Sequence, residues 1–381
     1  MSQHQKILIE LFKQASLQYN HANSVHDLLS NKKLILYGAG DGFITFSVFV
    51  LRKYGLTPYM VLDRKFKSGD NHFGIPAFSP YEYKPTTEEK ENAVVVITVG
   101  KREYYEEIFL CLKNLGFRNI LLATDIYEYH LLYESEELKA KGFNYYLENK
   151  DKIIECLGLF TDNMSREVYI RFLQTHMIRK PIPIPVCELE EQYFPKDIRF
   201  TKGYSRFVNC GAYNGDTIKK LNNIIGKVEA IICFEPDPEN FQMLTQYLLS
   251  RKNEIAELVI SFPCGVFSHE TQLRFSIGNR INSAISYKGD SVIQCIALDH
   301  VIPGFHPTFI SMDIEGVELE ALKGAEMIIK ENKPDLAISV YHSPNHIWEI
   351  PLYIKSLNLE YKFYLRNYTS FPSETILYAT T

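Results

Sequence analysis

Residues 209–216 read NCGAYNGD; four of the eight are Gly, Ala or Cys, two are Asn, and an acid closes the run. Small residues at the end of a strand let something come close to the backbone. The segment SRFVN leads into the run, and TIKKLNNII, helical in character, follows it. The phosphate-cradling pattern GxxxxGK[ST] is absent, and Gly211 with Gly215 does not make GxGxxG. A second landmark lies in IICFEPDPENF, where a strand ends at Glu235 and a helix starts almost at once, with Asp237 as N-cap and Pro238 in the first helical position. Glu235 follows Gly211 at about the interval at which a doubly wound fold sets an acid against ribose hydroxyls. The helix start after the loop can take a ligand carboxylate, while Asp216 or Asn214 meets an amine. S-adenosyl-L-methionine carries a carboxylate, an amine and a ribose in one molecule. The cofactor-binding candidates are Asn209, Gly211, Ala212, Asn214, Gly215, Asp216, Glu235, Pro236 and Asp237, with Gly265 and Val266 beyond the next strand. A strand–helix turn without a ligand is the alternative reading of each motif taken alone.

A third group could move protons. FISMD ends at Asp313, Glu315-Gly316 opens an amphipathic helix, and LAISVYH puts His342 just past the following strand. Both strand ends belong to the edge where a doubly wound sheet opens its crevice. A histidine with its ordinary pKa of about 6.5 can accept a hydroxyl proton near neutral pH, and a carboxylate beside it orients the ring. Asp313 and His342 are therefore the leading catalytic pair; Glu315 is either a third catalytic member or the cap of the Gly316 helix. His342 also reads as an ordinary hydrogen-bonded histidine. His346 follows in HSPNH, but Pro344 denies the regular helix that HxxxH metal spacing needs, and no metal is expected. Asp313 and Glu315 with waters are the donor set that would suit Mg²⁺.

In the first half, YGAGDGF holds Gly38, Gly40 and Gly42, with Asp63 about twenty residues on. Two readings stand: a possible second nucleotide site, or a Rossmann-like scaffold that pairs subunits or presents substrate.

These residues need elements to hold them. KKLILYGAG, TPYMVLD, NAVVVITVG and NILLAT read as buried strands, FITFSVFVLRKYG as a helix ended by Gly55, and YYEEIFLCLKNLGF as another helix. Such alternation predicts a parallel sheet over 31–130. Residues 1–30 form an N-terminal helical segment, 131–203 a helical connector broken by the prolines of KPIPIPV, and 204–381 a second domain. RFVN, EAIICFE, LVISFP, TQLRFSI, SVIQCIA, TFISMD and DLAISVY supply its strands. YKFYLRN and TILYAT are joined by too few residues for a helical crossover, so they pair antiparallel. The fold class is α/β with two Rossmann-like doubly wound domains, the second ending in an antiparallel hairpin, which resembles the class I methyltransferase arrangement.

The 381 residues are 46% hydrophobic and 23% charged, with a formal net charge of −5 and no long basic block. That balance disfavours nucleic acid as a partner. No apolar run approaches the ~20 residues of a membrane helix. Seven cysteines without a CxxC pair suit a reducing cytoplasm.

FISMDIEGVELEALKGA (309–325) resembles the signature of the FkbM family of S-adenosylmethionine-dependent methyltransferases, through Asp313, Glu315, Gly316, Glu318, Leu322, Lys323, Gly324 and Ala325. FEPDPENF, ALDHVI and ETILYA are similar to further family segments, and DNMSREVY and EQYFP to features of a longer subgroup. The resemblance covers roughly 155–381. It implies methyl transfer to an oxygen, most often a hydroxyl of a sugar, glycan precursor or secondary metabolite, so the expected partner is a small-molecule or glycan acceptor; a homodimer is a separate expectation. One departure is Asn209, where the family's first motif begins with an acid: cofactor affinity falls, or Asp216 compensates. Two rivals remain. An NAD(P)- or nucleotide-sugar-dependent enzyme would work through the first domain, but no Tyr-x-x-x-Lys pair lies near Gly38. A non-catalytic methyltransferase-like binding protein is the reading that Asn209 favours.

Overall fold

The computed structural model describes residues 2–18, 29–101, 104–123, 126, 143–178, 184–276, 284–285, 291–369, 372 and 374–381. The chain forms two compact units, Met1–Asp151 with Ile170–Ile184, and Lys152–Tyr169 with Pro185–Thr381. The stretch 131–203, read as one connector, is thus shared: 152–169 goes to the second unit and 170–184 to the first. Residues 127–142 and 179–183 lie outside the described residues.

The first unit is built on six strands: β1 (Leu34–Tyr37), β2 (Met60–Leu62), β3 (Asp70–His72), β4 (Ile75–Phe78), β5 (Val94–Ile97) and β6 (Asn119–Leu122), in the order β3-β4-β2-β1-β5-β6. LILY and VVVI are buried throughout, as strands covered on both faces must be. All pairings are parallel except β3 with β4. That hairpin has no sequence signal of its own. Its strands are short, the first of them polar, and its turn depends on positive φ at Phe73 and Gly74. The helix after β1 ends at Gly55 in the left-handed conformation, as expected, but passes through a π-helical turn at Ser47–Leu51.

The second unit carries β7 (Arg206–Cys210), β8 (Val228–Phe234), β9 (Ala256–Phe262), β10 (Gly265–Val266), β11 (Thr271–Ser276), β12 (Ala284–Ile285), β13 (Ser291–Ile296), β14 (Phe309–Met312), β15 (Asp335–Ser339), β16 (Lys362–Asn367) and β17 (Thr375–Thr380). Seven of these form one sheet in the order β16-β17-β15-β14-β7-β8-β9. It is parallel except at β17, which runs antiparallel to both β15 and β16. The doubly wound sheet with a closing hairpin is therefore present. Beneath it Phe207 and Phe309 stack at 5.3 Å between ring centres, and Ile218, Leu221, Leu244 and Leu248 cover them from the crossover helices. TQLRFSI and SVIQCIA do not join the main sheet. They make a separate sheet in the order β10-β13-β11-β12, in which Gly265 and Val266 pair with Cys295 and Ile296.

Candidate active site

A cavity of about 460 Å³ opens in the second unit at the carboxyl ends of β7, β8 and β14, beside the residues leading into β17. The two glycines of NCGAYNGD are explained by protein neighbours. Gly211 has φ of 80°, and a Cβ there would lie 1.9 Å from the Asp313 carbonyl oxygen, so its smallness lets the ends of β7 and β14 meet. A Cβ on Gly215 would lie 2.9 Å from the Tyr247 ring of the helix Pro238–Ile255. Gly211, Asn209 and Asp216 line the cavity, whereas Ala212, Asn214 and Gly215 are not among its lining residues. The backbone of the loop faces inward. The N–H groups of Gly211 and Ala212 both donate to Phe234 O, and that of Gly215 to Ala212 O. Asp216 Oδ1 accepts from Thr217 N at 2.7 Å.

Glu235 is buried at the end of β8 and lines the cavity. Its carboxylate accepts from Tyr213 N and Asp237 N, each at 2.8 Å. Burial pushes it up to about 7, against the pull of those two bonds. The Asn240 side chain is a further donor to it, and the carboxylate keeps acceptor capacity for a ligand hydroxyl. Asp237 caps the next helix through Glu239 N and Asn240 N, as its sequence position requires, and is not a lining residue. Pro236, Gly265 and Val266 do line the cavity.

Opposite Glu235 stands an acidic edge. Asp313 takes hydrogen bonds from Tyr193 OH at 2.7 Å and Tyr341 OH at 3.4 Å. Burial raises both phenols, which keeps them protonated as donors. Glu374, just before β17, accepts from Gln192 Nε2 at 2.7 Å and is pushed up to about 7 by burial and then by Asp313. Glu315 sits at φ of 59° ahead of Gly316 at 100°, a left-handed pair that turns its side chain to the cavity. Burial, then the Asp313 and Glu318 carboxylates, raise Glu315 against His342, but the side chain is 41% exposed and water weakens the effect of burial. Tyr193 and Tyr213 also hold positive φ. Three of the cavity's side chains are thus presented from unfavourable backbone conformations, a cost that recurs at functional sites.

His342 corrects an expectation. It does not line the cavity as a free base. Its Nδ1 lies 2.7 Å from Glu318 Oε1, and its Nε2 3.3 Å from Asp313 and 3.5 Å from Glu315. Burial works against charge on the ring, but Glu318 first, then Asp313 and Glu315, outweigh it and push His342 up to about 10. It is therefore an imidazolium at neutral pH that positions Asp313, and the carboxylates make it so. Glu318, fully buried, also accepts from Ile314 N and Gly316 N, which ties the whole 313–318 turn to its own helix. His346 begins the helix His346–Ser356, so it shares no helical turn with His342; its Nδ1 lies 3.2 Å from Glu318 Oε2. Asp313, Glu318 and His342 stand close enough to share an ion, each offering a ligand atom within 4.8 Å of the others.

Sequence reasoning missed Glu318, Tyr193, Tyr341, Gln192 and Glu374 as site residues. Glu318 had a signal: it occupies the apolar stripe with Ala321, Leu322 and Ala325, and an acid there must have a buried partner. Gln192 and Tyr193 lie in EQYFP and Glu374 in ETILYA, segments already read as family-like, but no local spacing ties them or Tyr341 to Asp313.

In the first unit, Gly42 and Gly38 are also explained by packing: added Cβ atoms would lie 1.9 Å from Thr98 O and 2.8 Å from Val99 Cγ2. Asp63 accepts from Ala39 N at 2.8 Å and Lys65 N at 3.1 Å. Gly40 has open space around it.

A doubly wound sheet with an antiparallel β17, and a crevice at its carboxyl edge, define a class I methyltransferase fold. Residues 209–369 match the Methyltransferase FkbM domain. The crystal structure of Methyltransferase FkbM from Methylobacillus flagellatus is similar over 99% of both chains, with a TM-score of 0.75 and 22% identity, and shares the fold. Hexuronic acid methyltransferase AglP from Haloferax volcanii is 26% identical over 175 residues, 40% of this chain and 71% of that protein.

Proposed function

We propose that the second unit binds S-adenosyl-L-methionine and methylates a hydroxyl of a sugar, glycan precursor or secondary metabolite. The observation that carries this reading is one cavity joining Gly211 and Glu235 to Asp313 and Glu315 at the carboxyl edge of the sheet. The residues fit the cofactor: Glu235 has acceptor capacity for ribose hydroxyls, Asp216 suits an ammonium, and a buried amide nitrogen on Asn209 lacks a partner among the described residues. When bound, the cofactor supplies an electrophilic methyl group. Asp313, fixed by Tyr193 and His342, orients the acceptor hydroxyl. Glu315 takes its proton, since a carboxyl raised toward neutrality is matched to that task. Alignment of the acceptor with the methyl contributes ~7–11 kcal/mol in well-oriented systems. The sugar class is drawn from the family and from the Haloferax relative's name.

Calorimetry with S-adenosylmethionine tests the cofactor. Glu235→Gln should weaken binding at least about tenfold, because hydrogen bonds to charged groups contribute ~1.5–3 kcal/mol. Glu315→Gln should bind cofactor normally and slow single-turnover methyl transfer by ~10²–10⁴. Unchanged affinity in folded Glu235→Gln would remove Glu235 from the ribose.

A further inference from the structure

We propose that Asn209 donates a hydrogen bond to the carboxylate of the cofactor's methionine part, the reverse of the polarity an acid at this position would provide. This rests on the S-adenosylmethionine reading above. Asn209 is 2% exposed and lines the cavity. Its Oδ1 accepts from Ser311 Oγ at 3.0 Å, and Ser311 Oγ also reaches Val208 O at 3.5 Å, so Nδ2 takes no part in that contact. Nδ2 is buried and has no partner among the described residues. Buried donors are seldom left unmet, so a ligand acceptor is the partner this nitrogen calls for.

The surroundings select which ligand group that is. The loop's N–H groups at Gly211, Ala212 and Gly215 bond to backbone carbonyls, and that of Tyr213 bonds to Glu235. They have nothing left for a carboxylate. The charged side chains lining the cavity are all acids: Asp216, Glu235, Asp313, Glu315 and Glu374. An ammonium finds acceptors on several sides. A carboxylate finds no lining cation among the described residues and needs neutral donors; among the lining side chains the Asn209 amide nitrogen is the buried donor left without a partner. An acid at 209 would face the ligand carboxylate with like charge inside a buried pocket.

The test is calorimetry with S-adenosylhomocysteine and with its analogue lacking the carboxylate, on wild type, Asn209→Ala and Asn209→Asp. Asn209→Ala should weaken S-adenosylhomocysteine about tenfold or more and leave the decarboxylated analogue within about twofold of wild type. Asn209→Asp should weaken S-adenosylhomocysteine at least as much. Equal losses for the two ligands, or wild-type affinity in Asn209→Asp, overturn the proposal. If the variants do not fold, wild-type protein labelled with ¹⁵N-asparagine reads the same contact. The Asn209 side-chain amide signal should move with S-adenosylhomocysteine and stay in place with the analogue; movement with both overturns the contact. Failure of wild type to bind either ligand sinks the cofactor reading itself, and the Asn209 contact with it.

Discussion

The charge on His342 depends on Glu318 more than on any other neighbour. Glu318 is itself held well below the ordinary carboxylate range, because His342 and His346 outweigh the cost of its burial. The two shifts have opposite consequences for stability. Glu318 binds its proton less readily in the folded state, so its contribution is present above the ordinary carboxylate range and lost as pH falls. His342 binds its proton more tightly when folded, so its contribution is complete below about pH 6.5 and declines as pH rises toward 10. Wild-type melting temperature should therefore fall between pH 6.5 and 10, and His342→Gln, which can still donate to Glu318, should show a flatter profile. Parallel profiles in scanning calorimetry would show that the ring is not charged in the folded protein. At Glu315 the backbone itself is the test. Glu315→Gly relieves a residue held at φ of 59°, so it should melt no lower than wild type while losing methyl transfer as severely as Glu315→Gln.

The elements differ in how plainly the sequence announces them. β1, β5, β14 and β15 are short, mainly apolar strands buried along their length, β7 is buried beyond Arg206, and β16 with β17 is a hairpin because the loop is too short for anything else. The β3–β4 hairpin and the small β10–β13 sheet depend on tertiary partners, and no local pattern distinguishes them. The glycine loop was legible as a close approach but not in what approaches: a neighbouring strand at Gly211, a helix at Gly215. That difference can be measured, with Gly226 as control. Gly226 has φ of 87° and nothing within 4 Å of an added Cβ, so Gly226→Ala meets only the left-handed penalty of ~1–2 kcal/mol. Gly215→Ala adds a clash with the far side of an aromatic ring, which can shift. Gly211→Ala adds one with backbone that cannot. Urea midpoints should fall in the order Gly226→Ala, Gly215→Ala, Gly211→Ala, and a Gly211→Ala no worse than Gly226→Ala would mean that β7 and β14 part easily.

At the scale of the molecule, the second unit is discontinuous, and a buried cation is one of the groups that hold 152–169 in it. Arg366 on β16 is 2% exposed. Its guanidinium donates to Asp162 at 2.7 Å, to Asp197 at 2.8 Å and to Ser165 Oγ at 3.0 Å. Ser165 Oγ accepts in turn from Leu365 N, and Thr161 N donates to Phe363 O. No periodicity can reveal such a pairing, because Asp162 and Arg366 are far apart in sequence and each reads locally as a surface charge. The family-like segment DNMSREVY was visible as a motif; its task of neutralising Arg366 was not. Asp162→Ala leaves the buried guanidinium with Asp197, which is half exposed, and should cost about 3 kcal/mol, the range for breaking one side of a buried pair. Arg366→Met in the same background removes the stranded charge and should recover most of that loss, because a well-packed apolar side chain often serves as well as a buried ion pair. Chemical denaturation of the two single variants and the double variant decides the matter. If Asp162→Ala is no less stable than wild type, or the double variant is less stable than both singles, Arg366 does not bind 152–169 into this unit.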